Sequence, residues 1–160
     1  MNMNLLPGES EKRQSESEHA EMTECYLDIR FRVAAAMSEW PSEFVILSAY
    51  ATTGQTWPEE RNAAADRRLE AELRARQGWT LRVVGYSPST GHAEPSWATS
   101  MSFEEAIEVG RQFEQDAIFH VRGDILSVAY CDDRRGLVPV GSFQSRVDRG
   151  DNRPDIVSES

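Results

Sequence analysis

Phe44-Val45-Ile46-Leu47 is an unbroken apolar run of strand length, followed at once by Ser48-Ala49-Tyr50. A strand with one wet face alternates apolar and polar residues, so a run without alternation needs cover on both faces. That requirement imposes layers: a strand inside a sheet, with something packed on each side of it. Trp79-Thr80-Leu81-Arg82-Val83-Val84 is the expected partner in the sheet interior, and Tyr26-Leu27-Asp28-Ile29-Arg30-Phe31 alternates as a half-buried strand does.

Two amphipathic segments supply the cover. The first has a start signal at Thr56-Trp57-Pro58-Glu59: Thr56 is placed to accept from a first-turn amide, Glu59 to reach back, and Pro58 loses no needed bond there. Asn62, Ala65, Leu69 and Leu73 then recur at helical spacing, Gly78 offers a left-handed stop, and Glu70–Arg74 and Glu72–Arg76 are spaced as surface ion pairs. The second starts at the capping box Ser102-Phe103-Glu104-Glu105 and presents Phe103, Ala106, Ile107, Gly110 and Phe113 on one face. Gly110 costs about 1 kcal/mol of helix propensity against alanine, which predicts close packing on a neighbour.

A hairpin follows, Ala117 to Val121, a turn at Gly123-Asp124, then Ile125 to Tyr130. Its parity puts Phe119, Val121, Leu126 and Val128 on one face and His120 with Ser127 on the other, where His120 is expected at the surface. Gly136 to Gly141 fits a short edge strand, since Pro139 excludes a central one. The predicted fold is α+β: a single mixed or antiparallel sheet of about five to six strands with two packed helices.

The chain's 160 residues suit one core. Residues 1–22, rich in Glu, Ser and Gln, read as a disordered acidic leader; 23–145 form the single domain; 146–160 read as a flexible C-terminal tail. A formal charge of −10 argues against nucleic acid as a partner. No stretch approaches the roughly 20 apolar residues a membrane span needs, and the first residues lack the pattern of a secretion signal. With two cysteines, Cys25 and Cys131, a disulfide scaffold is excluded and the cytoplasm is the expected compartment. The sole lysine, Lys12, lies in the leader, which removes a phosphate-loop lysine, a Schiff-base amine and the lysine of many metal nucleases. Arginine, effectively never deprotonated, cannot replace it as a general base.

Three places carry candidate chemistry. Asn62 sits in the first turn of the long helix yet on the stripe of Ala65, Leu69 and Leu73, so its amide faces the sheet. It either caps a strand end or loop carbonyl, the plainer reading, or touches a ligand at the mouth between helix and sheet. Pro88 to Trp97 reads as a loop that gathers His92, Glu94, Ser96 and Trp97, although a polar turn is the commoner meaning of such a stretch. Gln115 ends the second helix; it either satisfies a free carbonyl or joins Asn62 and Glu94 in a polar cluster at one end of the sheet. His92, Glu94 and His120 lack a diagnostic ligand spacing, so no metal and no cofactor are expected. Cys131 reads as a buried, inert thiol.

Ser48-Ala49-Tyr50, Asn62 with Leu69 and Leu73, Gly85, Glu94-Pro95-Ser96 and Phe113 to Ile118 occur in an order that resembles the bacterial family catalogued as domain of unknown function 3293. The resemblance runs from about Tyr26 to Cys131. It departs at Ala51-Thr52, where the family commonly has Asn-Pro, and at Glu114, where the family tends to have glycine. It implies a compact bacterial domain with recurring polar positions at Asn62, Glu94, Ser96 and Gln115, and no established activity.

The leading expectation is a non-catalytic small-ligand-binding or regulatory module, with Asn62, Glu94, Ser96 and Gln115 lining a polar pocket walled by Tyr50 and Trp97, and Arg68 or Arg82 as an anion contact. The alternative is a small hydrolase or transferase on a nucleotide-like substrate, with Glu94 as general base and His92 as assisting acid. A third class is an interaction adaptor that meets a protein partner through the acidic leader.

Overall fold

The computed structural model describes residues 28–33, 39–51, 56–132 and 136–149. Among them are eight strands and two α-helices: β1 (Arg30–Val33), β2 (Glu43–Leu47), α1 (Glu59–Ala75), β3 (Thr80–Tyr86), β4 (Ala93–Thr99), α2 (Phe103–Gln112), β5 (Ala117–Arg122), β6 (Ile125–Tyr130), β7 (Leu137–Ser142) and β8 (Val147–Arg149). They form one curled sheet in the order β7-β6-β5-β2-β4-β3-β1-β8. Every pairing is antiparallel except β1 with β8.

The apolar run decides this arrangement. β2 lies mid-sheet, and Phe44, Val45, Ile46 and Leu47 are all at most 2% exposed. Val45 and Leu47 face a core shared with both helices: Ala65, Leu69 and Leu73 of α1, Ala106, Ile107 and Val109 of α2, and Trp97, Ile118 and Cys131. Phe44 and Ile46 face a second core inside the curl, with Phe31, Val83, Ala98, Val121, Leu126, Val128, Tyr130 and Phe143. The curl brings the ends of the sheet together. Phe143, just after β7, packs on Phe31 of β1 with ring centroids 5.6 Å apart, and on Phe44 at 5.2 Å. Arg146 bonds the carbonyls of Ile29 and Val140, beside β1 and in β7.

Several expectations hold in detail. Ser102 and Glu105 form the reciprocal capping box, Glu70–Arg74 and Glu72–Arg76 pair at 2.9 and 3.0 Å, and β7 is an edge strand with a register irregularity opposite Leu126/Ser127. Gly110 packs so closely that a Cβ there would stand 2.6 Å from Cys131 Sγ.

Others are corrected. The sheet has eight strands, not five to six. β3 is not the neighbour of β2; β4 lies between them. β4 itself was hidden because Glu94-Pro95-Ser96 reads as loop. Its proline is tolerated because β2 pairs with β4 only from Leu47–Trp97 onward, so Pro95 lies past the last rung on that side. Thr56 does not cap α1, whose N-cap is Pro58 with no side-chain bond. The left-handed residue after α1 is Gln77 at φ 60°, not Gly78. His120 is 4% exposed, not at the surface, because α2 covers that face of β5 and Phe103 packs edge-on against its ring. The first strand begins at Arg30, later than expected, and Tyr26 and Leu27 lie outside the described residues. So does the leader 1–22. β8 lies within the segment expected as a tail, paired with β1; residues 150–160 lie outside the described set.

Candidate functional site

One end of the sheet collects the polar positions singled out above. β2 finishes there, β4 and β5 begin there, and α1 starts above it. Asn62 Oδ1 accepts from the Ala51 amide at 2.9 Å. Gln115 Nε2 donates to the Tyr50 carbonyl at 2.7 Å and to the Phe113 carbonyl at 3.2 Å. Two amides from elements far apart in the chain therefore grip the two ends of a single peptide group, Tyr50–Ala51, in the segment leaving β2. Ser48 Oγ accepts from the Tyr50 amide at 2.9 Å and completes the hold. Gln115 is not the last residue of α2, which ends at Gln112; Glu114 adopts φ 60° and swings Gln115 under the sheet end, where it is 9% exposed.

Glu94 and Ser96 belong to the same end but to a different environment. Both lie on the β4 face that carries Ala98, towards the inner core, whereas Asn62 descends from the helix side. Ser96 Oγ donates to the Glu94 carbonyl at 3.2 Å. Glu94 Oε1 lies 3.2 Å from Nε2 of His92, whose side chain is 70% exposed. Tyr50 senses the neighbourhood as a whole: burial, then the charges of Glu59 and Asp66, push its phenol above the ordinary value, with a smaller contribution from Glu94 and opposition from Arg82.

Trp97 does not wall an open pocket. It is 5% exposed on the helix face, and its Nε1 donates to Asp66 Oδ1 at 3.1 Å. Arg82 donates to both oxygens of Asp66, at 3.0 and 2.6 Å, while its guanidinium lies 4.1 Å over the Trp97 ring. Arg82 is thus committed to Asp66 and is not available as an anion contact. Asp66 is the residue sequence reasoning missed. It stands one position past Ala65, at the margin of the apolar stripe, and the signal would have been a carboxylate there opposite an arginine on the strand below.

A shallow groove opens beside the clamp, between α1 and the end of α2, with a cavity volume of about 90 Å³. Trp57, Arg61, Ala64 and Arg68 line one side; Gln112, Phe113 and Glu114 line the other. Arg61 lies 3.7 Å over the Trp57 ring and Arg68 5.7 Å over Phe113. The two walls are the direct chain neighbours of the clamping amides, Arg61 next to Asn62 and Glu114 next to Gln115. Both elements are thereby fixed to the same peptide group, Tyr50–Ala51.

Other reactive groups are spoken for. Burial pushes the Cys131 thiol up to about 11, so the nucleophilic thiolate is scarce at neutral pH. His120 Nε2 lies 2.8 Å from Glu43 Oε2, a bond that holds the Glu43 carboxyl below its ordinary value. Among the described residues no group of three or more His, Cys, Asp or Glu could hold a metal ion, and no helix is long and apolar enough to cross a membrane.

The family model described as protein of unknown function (DUF3293) matches residues 47–118, from the end of β2 to the start of β5, so the chain resembles that family. The matched stretch contains the clamp, the groove and the Asp66–Arg82–Trp97 cluster. No curated protein and no solved structure matches the chain.

Proposed function

We propose that this domain is a non-catalytic ligand-binding module whose ligand seats in the α1–α2 groove, beside the clamp that Asn62 and Gln115 make on Tyr50–Ala51. The observation that carries the reading is the convergence of Asn62 and Gln115 on the one Tyr50–Ala51 peptide group, with the groove formed by their chain neighbours. Two buried or half-buried amides spent on one short segment hold a surface feature to a fixed shape, which is what pre-organised binding requires. Aromatic rings with a few charged groups are the usual lining of small-ligand sites. A thermal-shift screen of nucleotides, amino acids and organic acids tests it. A stabilising compound is expected for the wild type, with the shift lost in Ala64→Phe, which fills the groove, while circular dichroism stays native. A shift that survives Ala64→Phe unchanged overturns the reading.

A second reading, a small hydrolase or transferase on a nucleotide-like substrate, is favoured by the 3.2 Å approach of His92 to Glu94. There Glu94 would act as base and His92 as assisting acid. Turnover of any nucleotide in the panel that is abolished by Glu94→Gln would establish it over the first.

A further inference from the structure

We infer that the groove selects a small anion, its carboxylate or phosphate held by Arg61 and Arg68; this rests on the binding-module reading above. Arg61 and Arg68 are seven residues apart on α1, so both lie on one helix face, roughly 10 Å apart along the axis. Ala64 and Ala65 stand between them, and their small side chains leave room for a ligand.

Four other arginines are held by carboxylates. Arg30 is committed to Asp148, Arg74 to Glu70, Arg76 to Glu72 and Glu105, and Arg82 to Asp66. Among the described residues Arg68 meets no carboxylate within ion-pair distance; its recorded contact is the Phe113 ring. Arg61 reaches Glu114 only at 3.9 Å, with both side chains more than half exposed, a pairing that water and salt weaken readily. On a chain of charge −10, two arginines lying over aromatic rings in one groove form a local cationic spot. Guanidinium forks match the oxygens of carboxylate and phosphate, and the rings beneath hold the two cations in place.

The test follows the Trp57 indole and Arg68 Nε resonances in ¹⁵N-labelled protein, assigned with Trp57→Phe and Arg68→Gln. The probes are benzoate, adenosine monophosphate, their neutral counterparts benzamide and adenosine, and inorganic phosphate. Saturable shifts are expected from benzoate or the nucleotide, with the more effective of the two identifying carboxylate or phosphate as the preferred group. Arg68→Gln is expected to weaken that binding at least tenfold, and the matching neutral probe to bind at least tenfold less tightly. Equal binding of neutral and anionic probes would overturn the charge assignment and leave the groove reading intact. Inorganic phosphate binding as tightly as the nucleotide would support the assignment, since the anionic group alone then carries recognition. No shift from any probe would overturn the ligand class, while Ala64→Phe in the thermal-shift screen decides separately whether the groove binds anything.

Discussion

Replacing Gly110 with alanine sets two known effects against each other at one atom. Alanine is the better helix former by about 1 kcal/mol, so on propensity alone Gly110→Ala should stabilise α2. The added methyl, however, would lie 2.6 Å from Cys131 Sγ and 3.1 Å from Ile118 Cγ2. Neither neighbour yields easily. Ile118 belongs to β5, which is paired on both sides, and the Cys131 amide and carbonyl are held by Asp116 and Arg111. Overpacking a methyl against such walls costs about 1–3 kcal/mol. After the propensity gain, the net expectation is a loss of up to about 2 kcal/mol, or up to roughly 4–8 °C in Tm for a domain of this size. Urea unfolding of wild type, Gly110→Ala, Cys131→Ala and the double variant forms a cycle that isolates the clash. Removing Sγ should make Gly110→Ala neutral or stabilising, with a coupling of about 1 kcal/mol or more. A Gly110→Ala protein more stable than wild type by the full propensity difference, or a cycle with no coupling, would refute the packing argument.

Asn62→Ala and Gln115→Ala should each cost about 1–2 kcal/mol in urea unfolding, since each leaves a backbone group of Tyr50–Ala51 without its partner; losses under 0.3 kcal/mol for both would show that the clamp does not hold the segment. Glu114→Gly should stabilise by about 1 kcal/mol, because glycine accepts φ 60° without strain and the Arg61 pairing it gives up is exposed; destabilisation would contradict this. In a Cys25→Ser background, Cys131 should resist thiol reagents at pH 8 until the protein unfolds. Its folded value near 11 stands above the ordinary 9.0, so the thiol's contribution to stability is complete below pH 9 and lost between pH 9 and 11. Rapid native labelling at pH 8 would refute it. Glu43, held low by His120, contributes stability above its ordinary carboxyl range that is lost as acid protonates it, so His120→Gln should shift the acid unfolding midpoint upward in pH; an unchanged midpoint would remove the pair from the acid transition.

The candidate site was legible in its parts. Asn62 on an apolar stripe was expected to face the sheet and Gln115 to satisfy a free carbonyl, and both do; Glu114 departs from a position where the resembled family tends to have glycine, and it carries the left-handed turn. Their common target was not legible, because a side chain's reach to a backbone group 11 or 65 residues away leaves no periodic trace. Trp97 read as a pocket wall because an indole in a polar stretch looks exposed, whereas Asp66 and Arg82 bury it.

What the amino-acid order determined by itself is whatever repeats locally: the twice-covered run at Phe44–Leu47, the capping box at Ser102–Glu105, the hairpin parity, the crowding at Gly110. Tertiary structure alone decided that β2 inserts between β4 and β5, that the sheet curls until Phe143 meets Phe31, and that α2 closes over His120. Those choices depend on which faces find each other across long sequence gaps, and the energy of that meeting is shared by both partners and written in neither segment alone.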